Sequence, residues 1–205
     1  IDTTDITSWE TPYSLVAQMR ASTAVLGPLI SRFGKAVVAM PGGCNIGARK
    51  IDMHILGLEA LGVEFKVEHG NIHASAPHGI TGETVSLAFA SVGATENLMM
   101  ASVFAKGVTV IDNAAREPEI VDLANMLNKM GANIQGAGSP VIEIHGVTEL
   151  HPVEHEVVGD RIEAGTFLAI GALTGEPVTV HGFEPNHLGL VLKKYEQMGI
   201  TIETG

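Results

Sequence analysis

The segment Pro41-Gly42-Gly43-Cys44-Asn45-Ile46-Gly47-Ala48-Arg49 places a thiol five residues before a guanidinium. Three glycines and a proline in nine residues make it a loop, too glycine-rich for a strand or a helix. A thiol acts as an acid or a nucleophile when its pKa is drawn toward neutrality, and an adjacent arginine with backbone amides does that. A lone cysteine elsewhere packs as a small hydrophobe; in a glycine loop beside Arg49 the reactive reading of Cys44 prevails. Ser91-Val92-Gly93 is a second candidate, expected between a strand and a helix running to Lys106. The free amides of a helix N-terminus hold phosphate, although a serine cap and a turn glycine read equally well on local grounds. Arg116 with Glu117 and Glu119 reads as a solvated helix start, and Asp160 as a cap rather than a catalyst. His69, His73 and His78, or His151 and His155, lack a cysteine or a carboxylate quartet, so no metal site is expected, and no cofactor.

These residues must be positioned by an α/β framework that repeats. Leu61-Gly62-Val63-Glu64-Phe65, Met130-Gly131-Ala132-Asn133-Ile134 and Met198-Gly199-Ile200-Thr201-Ile202 each end an apolar-periodic helix, turn at glycine and enter a strand. The glycines fall 69 and 68 residues apart, and a left-handed helix C-terminus suits glycine. Gly34 to Ala39, Gly107 to Ile111 and Glu176 to Val180 read as strands that follow helices. Asn71 to Ser75 and Val141 to His145 supply closing strands, and Glu83 to Phe89 and His155 to Val158 opening ones. The unit is βαβαββ, three times over, with the first and last copies clipped. Thr11-Pro12 predicts a capping hydroxyl before a proline at the first helical position. Asp160 with Glu163 predicts a capping box with Asp in the first place, and Glu117-Pro118-Glu119 a helix start.

The chain has 205 residues, 45% of them apolar, enough for a sizeable core. Twelve Lys and Arg against 23 Asp and Glu leave a net charge of −11, which disfavours nucleic acid and anionic lipid as partners. An anionic substrate would therefore need local cations, drawn from Arg20, Arg32, Arg49, Arg116 and Arg161. One cysteine excludes an internal disulfide and fits a reducing cytoplasm. No apolar run approaches a membrane span, and no secretory signal opens the sequence, which begins at Ile1.

Met19-Arg20-Ala21-Ser22 with Gly27-Pro28-Leu29, then Pro41 through Arg49 and Asp52-Met53-His54, resembles the UDP-N-acetylglucosamine 1-carboxyvinyltransferase family. The likeness continues through Ser91-Val92-Gly93-Ala94-Thr95-Glu96-Asn97, Asn113 to Ile120 and Asp160 to Thr166, in the family's order and spacing. It implies the inside-out barrel of repeated βαβαββ units and the first committed step of peptidoglycan synthesis. In that reaction enolpyruvate passes from phosphoenolpyruvate to the 3-hydroxyl of UDP-N-acetylglucosamine, with loss of phosphate. By the same resemblance Cys44 protonates the methylene carbon, forms the covalent adduct and reacts with fosfomycin. Arg20 and Arg49 meet the anionic substrates. Arg49, Lys50, Ile51, Asp52 and Met53 form the nucleotide segment, and Ser91-Val92-Gly93 contacts the diphosphate. Lys50 departs from the family's usual proline, replacing a stiff apolar wall with a charge. The sister enolpyruvylshikimate-phosphate synthases are the rival on the same fold, and a noncatalytic nucleotide-sugar-binding fragment is the rival of another class.

Family members are about twice this length. The resemblance therefore implies that residues 1–154 are two units of the cysteine-loop domain and 155–205 a partial unit opening the second domain. A lysine–asparagine element, an aspartate and further arginines of the family fall outside the chain, so the chain alone is expected to be inactive. Residues 1–154 lack a third unit. Either the unit from His155 fills that place or a second copy covers the face, and in both cases the helices from about Asp160 to Leu173 and Leu188 to Met198 should bury their apolar faces.

Overall fold

The three repeating glycines each end a helix in a left-handed conformation, with φ of 92° at Gly62, 108° at Gly131 and 91° at Gly199. A side chain there would be strained, so the 69- and 68-residue spacing read from sequence is a spacing of helix ends. The computed structural model describes residues 1–40 and 51–205. They divide into two compact units, Ile1–Glu154 and His155–Gly205.

In the first unit, helix α1 (Tyr13–Val16) and a 3-10 turn (Arg20–Val25) lead into α2 (Leu26–Phe33) and strand β1 (Lys35–Ala39). Then come α3 (Asp52–Ala60), β2 (Glu64–Glu68) and β3 (Asn71–Ser75). The sheet runs β1-β3-β2 with both pairs antiparallel. A parallel bridge joins Glu10 to Val37, and the Val37 amide donates to the Trp9 carbonyl at 2.9 Å. Trp9 to Thr11 thus stands where an opening strand would lie. The Lys35 ammonium sits 3.4 Å from the centre of the Trp9 ring and helps pin this segment.

The next repeat is complete. It runs β4 (Thr84–Ser86), α4 (Val92–Ser102), β5 (Val108–Asp112), α5 (Pro118–Lys129), β6 (Asn133–Gln135) and β7 (Val141–His145). Its sheet is ordered β4-β5-β7-β6, with β4 parallel to β5 and the other pairs antiparallel. Period-two burial aims Thr109 and Ile111 of β5, and Ile142 and Ile144 of β7, inward. Helix α4 is the centre of the unit. Ala94, Leu98, Met99 and Ala101 are fully buried, and so are its polar residues Thr95, Asn97 and Ser102. It packs against α2, α3 and α5. The approach of α2 is close: a Cβ on Gly27 would lie 2.4 Å from the Asn97 carbonyl oxygen, so only glycine fits.

In the second unit α6 (Arg161–Thr174) and α7 (Gly189–Gln197) flank a 3-10 turn (Pro185–Leu188). Asp160 caps α6, its carboxylate accepting from the Ile162 and Glu163 amides at 2.8 and 3.1 Å, as the sequence predicts. Gly175 ends the helix at φ 72°.

Several expectations are corrected. His155 to Val158, Glu176 to Val180 and Ile200 to Ile202 form no strand. A strand is held by its neighbour's amides and carbonyls, and among the described residues these segments have no ladder to join. Helices α6 and α7 do not bury their apolar faces either. Ala164 is the one buried residue of α6, none of α7 is buried, and Leu173 is 87% exposed. Without a paired sheet there is nothing for those faces to pack on. A cavity of about 1000 Å³ lies among Leu168, Val178, Val180, Leu192, Tyr195 and Ile202. Helix α4 stops at Ser102 rather than Lys106, because Lys106 bridges Thr81. Thr11 does not cap α1: its hydroxyl and amide both donate to the Val37 carbonyl, and Pro12 itself occupies the cap position.

Candidate active site

Three segments singled out by sequence meet at one end of α4. The 3-10 turn that begins at Arg20 packs on α4, and so does α3, whose first residue is Asp52. Ser91 caps α4, its hydroxyl accepting from the Ala94 amide at 3.4 Å. Val92 and Gly93 are therefore the first two helical residues, with amides that no helical carbonyl can satisfy. The serine cap expected of Ser91 is present.

The neighbouring loop is tied to this helix end. The Thr95 hydroxyl donates to the Ser91 carbonyl at 2.8 Å and accepts from the Ala115 amide at 3.1 Å. The Asn113 carboxamide donates to the Leu87 carbonyl at 2.9 Å while its own backbone is left-handed, at φ 56°. Arg116 is exposed and its amide donates to the Glu117 carboxylate at 2.8 Å. That is the solvated helix start read from sequence.

In the segment expected to meet the nucleotide, Ile51 and Met53 are each 8% exposed and help build the core. Asp52 is exposed in the first turn of α3, where its carboxylate accepts from the Met53 amide at 3.0 Å. Cys44, Arg49 and Lys50 lie outside the described residues.

Sequence reasoning passed over two residues that organise this site, His54 and Asn97. The Asn97 carboxamide is buried and fully used. Its Oδ1 accepts from the Gly27 amide at 2.8 Å, and its Nδ2 donates to the Thr23 carbonyl at 2.9 Å and meets His54 Nδ1 at 2.8 Å. Because an amide must donate at one end and a carbonyl accept at the other, the orientation of the carboxamide is fixed. His54 Nδ1 is then an acceptor and the ring carries its proton on Nε2. Burial holds the His54 pKa down to about 4, Arg20 lowers it further and Asp52 opposes them. Burial and then Glu119 raise the Glu96 carboxyl. The missed signal was a polar side chain on an otherwise apolar helix face; both residues stand inside blocks that carried the family resemblance.

Comparison with known proteins agrees with this architecture. The family described as EPSP synthase (3-phosphoshikimate 1-carboxyvinyltransferase) matches residues 1–205, and the chain belongs to that enolpyruvyl transferase family. It is 52% identical over 203 residues to UDP-N-acetylglucosamine 1-carboxyvinyltransferase 1 of Staphylococcus aureus, covering 99% of this chain and 48% of that protein. It is 54% identical over 198 residues to the protein of the same name from Caldanaerobacter subterraneus subsp. tengcongensis, covering 97% and 48%. The chain thus spans about half the length of these curated relatives. The enolpyruvyl transferase NikO from Streptomyces tendae superposes with a TM-score of 0.76 at 22% identity, over 95% of this chain and 47% of that one. An EPSP synthase from Acinetobacter baumannii gives 0.63 at 21% identity, over 87% and 41%. The fold is that of the enolpyruvyl transferases. Among the described residues no helix is long and apolar enough to cross a membrane.

Proposed function

We propose that the chain is part of an enzyme that transfers enolpyruvate from phosphoenolpyruvate to the 3-hydroxyl of UDP-N-acetylglucosamine, at the start of cell-wall peptidoglycan synthesis in the cytoplasm. The observation that carries this reading is the 52% identity along 99% of the chain to relatives named for that reaction. The likeness to EPSP synthase is 21%.

In this reading the nucleotide lies across the starts of α3 and α4. The Val92 and Gly93 amides and the Ser91 hydroxyl receive the diphosphate. Arg20 and Arg49 meet the substrate anions, and Lys50, Ile51, Asp52 and Met53 line the nucleoside. Cys44 is the general acid and the site of the covalent adduct, and the target of fosfomycin. Proton transfer to the methylene carbon and loss of phosphate as a leaving group need no metal or redox cofactor. Groups that complete the reaction in the longer relatives lie outside this chain, which therefore binds nucleotide sugar without turning over. Self-association through the face left by a missing unit belongs to the same reading.

Thermal unfolding with each candidate ligand tests the assignment. UDP-N-acetylglucosamine should raise the transition and shikimate 3-phosphate should not. The reverse result would move the chain to the sister activity, and no response to either would leave the nucleotide site unsupported.

A further inference from the structure

Asn97 and His54 make one device. The carboxamide has spent its oxygen on Gly27 and both its hydrogens on Thr23 and His54. It reaches the turn that begins at Arg20, the start of α2, and α3, from a position on α4 with no solvent exposure. His54 is 8% exposed, and its ring lies against the first turn of α4. A Cβ on Gly93 would be 3.1 Å from His54 Cε1 and 3.3 Å from Nε2. The described residues offer Nε2 no hydrogen-bond acceptor, although it must carry the proton that Nδ1 gives up. Nε2 is not among the enclosed polar atoms left without a partner, so its N–H opens onto the space beside the unsatisfied helix amides, where a ligand oxygen can take the place of water as its acceptor.

We infer that His54 donates its Nε2 proton to the same phosphate oxygens that the Val92 and Gly93 amides receive, and that Asn97 is the positioning residue that fixes this tautomer and the ring's place. The inference rests on the proposed diphosphate site. It adds a neutral donor to a site otherwise read as amides and arginine, and it assigns the buried asparagine a task beyond packing. A neutral N–H can follow a phosphate without carrying a charge into the core, where a charge would cost far more.

The test uses the whole 205-residue chain with UDP as the probe. Nitrogen-15 spectra of the free protein should show His54 with a bare Nδ1 and a protonated Nε2. UDP should then shift the Gly93 amide and the His54 Nε2 signal together. Glutamine keeps an N–H near the Nε2 position, whereas asparagine reaches only the Nδ1 position. H54Q should therefore hold UDP within about threefold of the parent, and H54N should lose about tenfold or more, as befits one hydrogen bond to an anion. N97D offers Nδ1 an acceptor in place of a donor, so the His54 proton should move to Nδ1 and UDP binding should weaken. Should N97D fail to fold, the two His54 variants decide alone. An Nδ1–H tautomer in the free protein, or equal binding by H54Q and H54N while Gly93 still responds to UDP, overturns the inference and leaves the site standing. A Gly93 amide that ignores UDP overturns the site and the inference with it.

Discussion

The His54 imidazole packs so tightly on Gly93 that a Cβ there would approach Cε1 to 3.1 Å. Two opposed effects meet in Gly93→Ala. Alanine gains about 1 kcal/mol of helix propensity, while the ring must give way by a few tenths of an ångström. Unfolding stability should stay within about 1 kcal/mol of the parent, and UDP-N-acetylglucosamine affinity should fall because His54 and the helix amides no longer share one point. Urea melts and calorimetric titration of the same preparation separate the two. Unchanged affinity would remove His54 from the site.

Acid should weaken the fold through His54. Its pKa is about 4 in the folded chain against 6.5 for an ordinary histidine, so between these values the unfolded chain binds the extra proton. The contribution is complete above about pH 6.5, and shrinks as pH falls toward 4, by about 3 kcal/mol in full. Glu96, with its carboxyl raised, tilts the other way, since the folded state then holds the proton more firmly. The difference between parent and H54Q melts across this range isolates the histidine. Parallel curves would show that His54 is not held neutral by the fold.

Gly27→Ala should be among the most damaging small substitutions. Its Cβ would sit 2.4 Å from the Asn97 carbonyl oxygen, which is backbone and cannot swing aside. Forcing α2 from α4 also stretches the Gly27 amide bond to Asn97 Oδ1. A loss of about 3 kcal/mol is expected in urea unfolding. A loss below about 1 kcal/mol would mean the two helices separate freely.

Cys44 should be alkylated by iodoacetamide in the folded chain, and more slowly by fosfomycin. Intact-mass measurement reads both. Reaction only after denaturation would mark a buried structural cysteine.

Arg49→Ala should raise the thiol pKa and weaken nucleotide-sugar binding together, the latter about tenfold to a hundredfold, as for a hydrogen bond made by a charged group. A pH profile of alkylation and a binding titration with neither change would take Arg49 out of the site.

Local chemistry wrote much of this protein into its sequence. The left-handed glycines at 62, 131 and 199, the Asp160 cap and the Pro118 helix start depend on neighbours a few residues away, so type and spacing determine them. The complete βαβαββ repeat was legible because each of its strands finds a partner inside the same segment. Strands expected at 155–158, 176–180 and 200–202 failed for the converse reason: alternation makes a segment able to pair, and a ladder exists only where another strand lies beside it. The resemblance blocks named Arg20, Asp52 and Ser91-Val92-Gly93 as parts of one site. Only the tertiary structure decided that Asn97 would meet Gly27 and His54, 70 and 43 residues away. Those hydrogen bonds are set by how α2, α3 and α4 cross, and a crossing of helices leaves no periodic trace in any one of them.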